Sequence, residues 1–362
     1  MRKLNHAKLL PLLIVTISPL YGITFSQPVM AETHSIIIND NETGGDCALM
    51  GKWDYSKKTC TLMNDMNGTV KIESDGITLD GKGYSLIGKG YGTGVFISGK
   101  TNVTVKNLSV MKFTIGIHLQ SSSSNVITDN IVNENKKYGI YLYSSSSNVI
   151  TDNTTNENNW YGIYLDYLSD NNILSNNTAN MNKNFGIYIH TSSKNDLTHN
   201  IAYSNMQHGI YLFASSNNNI LTNNIVYSNR YGIYLFASSN NNILTNNIIA
   251  NNYYGAYLHG STINVFESNV IIDNNVGMVI LNSSNNEVYK NNFINNPTQV
   301  IVRSGDSNAF NLAKPVGGNY WSNYNSTTEG CVDADGDGFC DNSFTFNGGQ
   351  DNLPWQRDAW GL

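Results

Sequence analysis

SSSSNVITDNIVNENKKYGIYLYSSSSNVITDN, residues 121–153, holds one full period of a repeat and the opening of the next. Working outward from Gly139-Ile-Tyr-Leu, the same Gly-Ile-aromatic-Leu signal stands at Gly162, Gly209 and Gly232, with variants at Gly116, Gly186, Gly255 and Gly277. Neighbouring copies are always 22 to 24 residues apart. An Asn file keeps the same phase at Asn125, Asn148, Asn172, Asn195, Asn219, Asn242, Asn264, Asn286 and Asn308. A second follows five residues later from Asn130 to Asn269, and a third five further on from Asn135 to Asn296. Two residues after each first-file Asn the position is apolar without exception, from Ile127 and Ile150 to Phe310. That position must face inward, while its neighbour accepts Asp196 and Glu287 and so faces water. Segments so short, alternating and rich in β-branched residues are strands.

A unit of this size cannot bury its apolar face alone, so copies must stack and pair their backbones in parallel ladders about 4.8 Å apart. The predicted fold is therefore all-β: a right-handed parallel β-helix of about ten coils, three short strands per coil, over residues 76–314. At that spacing the Asn side chains of adjacent coils can hydrogen-bond to one another and to backbone. Exposed terminal coils would template aggregation, so both ends need covers. Residues 32–75 and 315–362 lack the repeat, hold every cysteine, and are assigned as N- and C-terminal caps.

Arg2, Lys3 and Lys8, an apolar run from Leu9 to Phe25 and the small-residue site before Glu32 form a secretory signal over residues 1–31, with cleavage after Ala31 favoured over an uncleaved anchor. No later run is apolar for long enough to span a bilayer, so no membrane span is expected after cleavage. Cleavage takes the formal net charge from −6 to −9, which argues against nucleic acid as partner. Export favours disulfides. Of three possible connectivities the local pairs, Cys47 with Cys60 and Cys331 with Cys340, are preferred over a shared zinc site.

The repeat Asn-x-Ile-x-x-Asn followed by Gly-Ile-Tyr-Leu resembles the NosD-like β-helix repeats, also described as carbohydrate-binding and sugar-hydrolysis modules within the pectin-lyase-like fold. Asp75-Gly-Ile-Thr-Leu-Asp-Gly-Lys-Gly-Tyr and Gly318-Asn-Tyr-Trp-Ser-Asn-Tyr are similar to that family too. The resemblance is specific for fold and much less so for function, since such folds carry lyases, hydrolases, epimerases and accessory proteins. It implies a secreted, periplasmic or surface location. Its namesake, a periplasmic accessory factor in copper-site maturation, implies a further role here. A copper site wants converging His, Met or Cys. His118, His190, His199, His208 and His259 occupy four different repeat positions, and Met50, Met63 and Met66 read as core fillers, so copper is not expected.

Beside the Gly file runs an aromatic stripe of Tyr141, Tyr164, Tyr188, Tyr211, Tyr234 and Tyr257, and two residues on lie Tyr143, Asp166, His190, Phe213, Phe236 and His259. Pointing outward, these rings would offer apolar faces to the C–H faces of sugars, or merely brace the stacked strands. A glycan-binding, non-catalytic protein is the leading expectation. The alternative is a polysaccharide lyase, epimerase or hydrolase using Asp166 and His190 beside Tyr164 and Tyr188. The few basic residues on this surface weigh against a polyuronate enzyme. Asp129 and Asp152 also stack, but in a Thr-Asp-Asn bend whose turn chemistry explains them. In the C-terminal cap, Asp333, Asp335, Asp337 and Asp341 alternate around a carbonyl at Phe339, which is the ligand pattern of a hard calcium ion. The motif resembles EF-hand and thrombospondin type 3 loops, except that Phe344 stands where an acidic ligand would close the shell. A structural calcium is expected.

Overall fold

The computed structural model describes residues 35–358; the expected signal segment lies outside the described residues. Each repeat forms one six-residue strand and two three-residue strands, and like strands of successive coils pair in parallel. The six-residue strands, with the three-residue Ile36–Ile38 and Val70–Ile72 ahead of them, build a first sheet of 12 strands that ends at Thr298–Arg303. A second 12-stranded sheet runs from Gly51–Asp54 to Glu287–Tyr289. The third is split into a 4-stranded and a 7-stranded part, because Thr154 makes only isolated bridges to Ile131 and Thr178. Register is one-to-one throughout, as in Ile140 opposite Ile163 and Ile150 opposite Leu174. The parallel β-helix of the sequence reading is thus borne out.

The cap boundaries move. Coil stacking begins upstream of Gly76: Ile36–Ile38 and Val70–Ile72 already belong to the first sheet and Thr59–Leu62 to the second. Within the segment assigned as a cap, Gly51–Asp54 pairs antiparallel with Thr59–Leu62, and Cys47–Cys60 ties that hairpin down. At the other end Tyr320–Trp321 extends the third sheet into the expected C-terminal cap, which Cys331–Cys340 braces. Both cysteine pairs are the expected local ones.

Inward residues of all three sheets meet in one core, where Ile140, Leu142, Ile150 and Val132 are fully buried with their equivalents in other coils. Three buried Asn ladders turn the corners. Asn130 N–H and Nδ2 both donate to Asn153 Oδ1, at 3.1 and 3.0 Å, and Nδ2 also donates to the Val105 carbonyl at 2.9 Å. The pattern repeats coil by coil, so an amide side chain satisfies buried backbone that the bends leave unpaired. The third ladder explains the Gly file. A Cβ on Gly186 would sit 2.7 Å from both Asn205 Nδ2 and the Gly209 carbonyl oxygen, and the other members are similarly blocked.

Candidate functional site

In the six-residue strands the first, fourth and sixth side chains face outward, while the Gly and the residue after it both face inward and alternation holds only beyond them. Three outward files result over adjacent coils: Tyr138, Tyr161, Phe185, His208, Tyr231 and Tyr254; Tyr141, Tyr164, Tyr188, Tyr211, Tyr234 and Tyr257; Tyr143, Asp166, His190, Phe213, Phe236 and His259. The first file was not singled out in the sequence, although the residue before each repeat Gly was its signal. Rings stack within a file, as Tyr161 on Phe185 at 4.8 Å and 2° and Tyr164 on Tyr188 at 4.7 Å and 8°. Across files they meet edge to face, Tyr161 with Tyr188 at 5.0 Å and 68°. Tyr164, Tyr188 and Tyr211 are consequently buried, in a second apolar cluster separate from the core.

Coil spacing brings each ring into contact with the next, so faces expected to meet a ligand meet one another, and edges and hydroxyls remain to face outward. Burial also raises the Tyr164, Tyr188, Tyr211 and Tyr234 hydroxyls above the phenol range, and Tyr138 to about 12. They are neutral donors and acceptors, not ready bases.

Asp166 and His190, expected to touch, do so. His190 Nδ1 lies 2.8 Å from Asp166 Oδ1 and 3.3 Å from the Tyr164 hydroxyl, and the Tyr141 hydroxyl donates to Asp166 Oδ2 at 3.0 Å. Burial pushes the Asp166 carboxyl up, but bonds from His190, Tyr164 and Tyr141 outweigh it and hold the group below its ordinary value. His190 engages the carboxylate through Nδ1, which leaves Nε2 outside the pair, and its side chain is about one-third exposed at 32%. Tyr188 stacks its ring on His190 at 5.8 Å and makes no bond to the pair among the described residues.

The other histidines are dispersed. Burial lowers His118 to about 4 and His208 to about 3, so both act as neutral rings within the aromatic layer, against Tyr141 and Phe185. His259 stacks under Phe236, and His199 occupies a bend at φ 56°. Met50 is in the core and Met63 is exposed. Asp129 and Asp152 sit in bends at φ 56° and 54°, each accepting from the preceding Thr hydroxyl.

In the C-terminal loop, carboxylate oxygens of Asp333, Asp335 and Asp337 lie within 4.8 Å of one another, the arrangement among the described residues able to hold a metal. Lys314 Nζ pairs with Asp337, which lowers that carboxyl and raises the lysine. Asp341 Oδ2 accepts from Ala334 N–H at 2.9 Å and stands outside the trio. Phe339 packs its ring on Trp355 at 4.2 Å, and Phe344 is buried against Trp321.

A stacked parallel solenoid with Asn-lined corners and an aromatic outer sheet defines the class: a β-helix protein whose first sheet presents the candidate face. The chain belongs to the right handed beta helix region family, which it matches over residues 54–202 and 93–249, and residues 211–326 match the periplasmic copper-binding protein (NosD) family. Comparison with curated proteins finds no match. Among solved structures it is similar to a periplasmic alginate epimerase (18% identity, 70% of this chain and 79% of that one, TM-score 0.44). It is also similar to the A-module of an Azotobacter vinelandii mannuronan C-5 epimerase (17%, 69% and 88%, TM-score 0.44). The Dettilon tailspike protein gives 15% identity over 73% of this chain and 58% of that one, at a TM-score of 0.50. These likenesses concern the fold. No helix among the described residues is long and apolar enough to cross a membrane.

Proposed function

We propose that the protein is an exported β-helix module that binds a glycan on the outer face of the first sheet without transforming it. The observation that carries this reading is the aromatic layer over successive coils, rimmed by neutral hydroxyls and by the paired Asp166 and His190. Such a surface combines apolar edges with fixed hydrogen-bonding groups, as saccharide recognition requires. Two disulfides fit an oxidising compartment and hence export. Glycan-array screening and isothermal titration on the chain from Glu32 onward test it; if no glycan binds, a purely structural role is left.

A second reading, a polysaccharide lyase, epimerase or hydrolase, is favoured by the Asp166–His190–Tyr164 geometry, which places an oriented imidazole beside a hydroxyl. Turnover of an oligosaccharide that survives both Asp166→Ala and His190→Ala excludes that assignment. The acidic loop is proposed as a structural calcium site with Asp333, Asp335 and Asp337 as its carboxylates, Asp341 and the Phe339 carbonyl being recruited only if the loop tightens.

A further inference from the structure

One coil departs from the repeat at both ends of its six-residue strand. After that strand, two later coils read Phe213-Ala-Ser-Ser-Asn217 and Phe236-Ala-Ser-Ser-Asn240, whereas Tyr161–Asp166 is followed by Tyr167-Leu-Ser-Asp170. The backbone is the same in each: Ala214 and Ser215 have φ of 54° and 62°, Tyr167 and Leu168 of 45° and 61°. Bulky side chains are thus held in a left-handed turn that small residues occupy elsewhere, with Tyr167 N–H donating to the His190 carbonyl at 3.1 Å and Leu168 N–H to that of Thr191 at 2.9 Å. Both are about half exposed, so neither strain nor exposure is repaid by packing in the core. Just before the strand, Trp160 stands where other coils have Lys137, Asn184, Gln207, Arg230, Tyr253 and Asn275, and it too is exposed, at 41%.

Unlike the files between them, these two rings keep a face clear of other rings. Tyr167 stacks on Tyr143 of the preceding coil at 5.6 Å and 14°, while the following coil brings Thr191 alongside. Trp160 meets Tyr138 and Tyr161 only at inclined angles, 67° and 54°, with Lys137 Nζ over the indole at 5.1 Å. Seven residues of extended chain separate them, roughly 23 Å. Along that span lie Tyr161, Tyr164 and the Asp166–His190 pair.

We propose that Trp160 and Tyr167 are the sugar-stacking residues of this protein, gripping an uncharged oligosaccharide laid along the Tyr161–Asp166 strand. The proposal rests on the glycan reading above and names its site and ligand class. Open aromatic faces at the two ends suit the C–H faces of pyranose rings, and the tyrosine hydroxyls and the Asp166–His190 pair between them suit sugar hydroxyls. The carboxylates of Asp166 and Asp170 at the Tyr167 end would repel a uronate, which selects for neutral sugars.

Isothermal titration of the chain from Glu32 onward, against short neutral gluco-, manno- and galacto-oligosaccharides and a polyuronate, tests this. Trp160→Ala and the double change Tyr167→Ala with Leu168→Ser should each weaken neutral-glycan binding at least tenfold. The double change recreates the Ala-Ser turn of other coils, so folding, checked by circular dichroism, is not at risk. Tyr253→Ala, at the position equivalent to Trp160 four coils on, should bind as the unaltered protein does. Neutral-glycan binding that survives both sets of changes overturns the site and leaves the glycan reading standing. Preference for the polyuronate overturns the ligand class, and absence of binding to any glycan overturns both readings.

Discussion

The residue before each ladder Asn carries a cost that its neighbour's hydrogen bonds must offset. Ser124, Ser147, Asn171, Lys194, Asn218, Asn241, Ile263, Asn285 and Ser307 precede the members of the first ladder, and every one has φ between 56° and 60°. Asn tolerates this left-handed region, whereas a β-branched side chain crowds the following carbonyl there. Ile263 is the β-branched member, and it is about half exposed, so its side chain gains little from burial. Ile263→Asn should therefore raise stability by about 1 kcal/mol, read as a higher midpoint in thermal unfolding. A lowered midpoint would mean that the exposed isoleucine packs usefully after all. At this scale the Asn file was readable from spacing, and so was its role, because an amide every 22 to 24 residues needs a partner at that period. The left-handed rung was not, since Ser, Lys, Asn and Ile share no chemistry that announces it. Stacking of the tyrosines was also missed in its consequence: period put Tyr164 and Tyr188 in one file, but only the coil spacing shows that each covers the other's face.

An Asn ladder has a direction. Each member donates forward through N–H and Nδ2 to the next Oδ1, so a ladder begins with a plain backbone donor and must end on an acceptor. Leu108 N–H opens the second ladder on Asn130 Oδ1 at 3.1 Å. At its far end Asn319 N–H donates to Asp351 Oδ2 at 2.7 Å, where Trp321 Nε1 joins it at 2.9 Å, while Leu353 N–H donates to Asp351 Oδ1 at 3.0 Å. The third ladder closes on Gln299 Oε1, 2.9 Å from Asn296 Nδ2. Mid-ladder, Asn200→Ala strands Asn177 N–H and Nδ2 and the Leu174 carbonyl in the interior, and should lower stability by about 2–4 kcal/mol in denaturant titration. Asp351 adds a pH dependence. Burial lifts its carboxyl to about 6 against the pull of its donors, from 3.8 when unfolded. Between those values the folded chain holds a proton that the unfolded chain has released. The stabilisation is complete below pH 4 and disappears as pH rises through 6, by up to about 3 kcal/mol. Thermal midpoints of Asp351→Asn and the unaltered protein should therefore diverge in the variant's favour between pH 4 and 7; parallel curves would show that this carboxyl does not titrate there. Nothing in the repeat pointed to Asp351, which lies beyond the last periodic residue and meets the ladder only through the chain's return.

For the whole molecule, periodicity made the sheets, core and ladders legible, and lost its hold where the period fails. Val70–Ile72 and Ile36–Ile38 join the first sheet without keeping the 22 to 24 residue step, so the start of the stack could not be placed from spacing. The C-terminal end is closed by Tyr320–Trp321 on the last full coil, with Trp321 stacked on Phe293 at 4.5 Å, and the acidic loop hangs from that closure through Cys331–Cys340 and the Phe339–Trp355 contact. A calcium ion there would tighten the cover over the sheets' end and stabilise the fold by mass action. Chelation should lower the thermal midpoint of the chain from Glu32 onward, added calcium should restore it, and Asp335→Asn should remove the response. Lys314 supplies the sharper test, because its ammonium already neutralises Asp337 and must give way to the ion. Lys314→Met should bind calcium severalfold more tightly in calorimetric titration than the unaltered protein. If neither protein takes up calcium, the lysine alone balances the loop and the cap stands without metal.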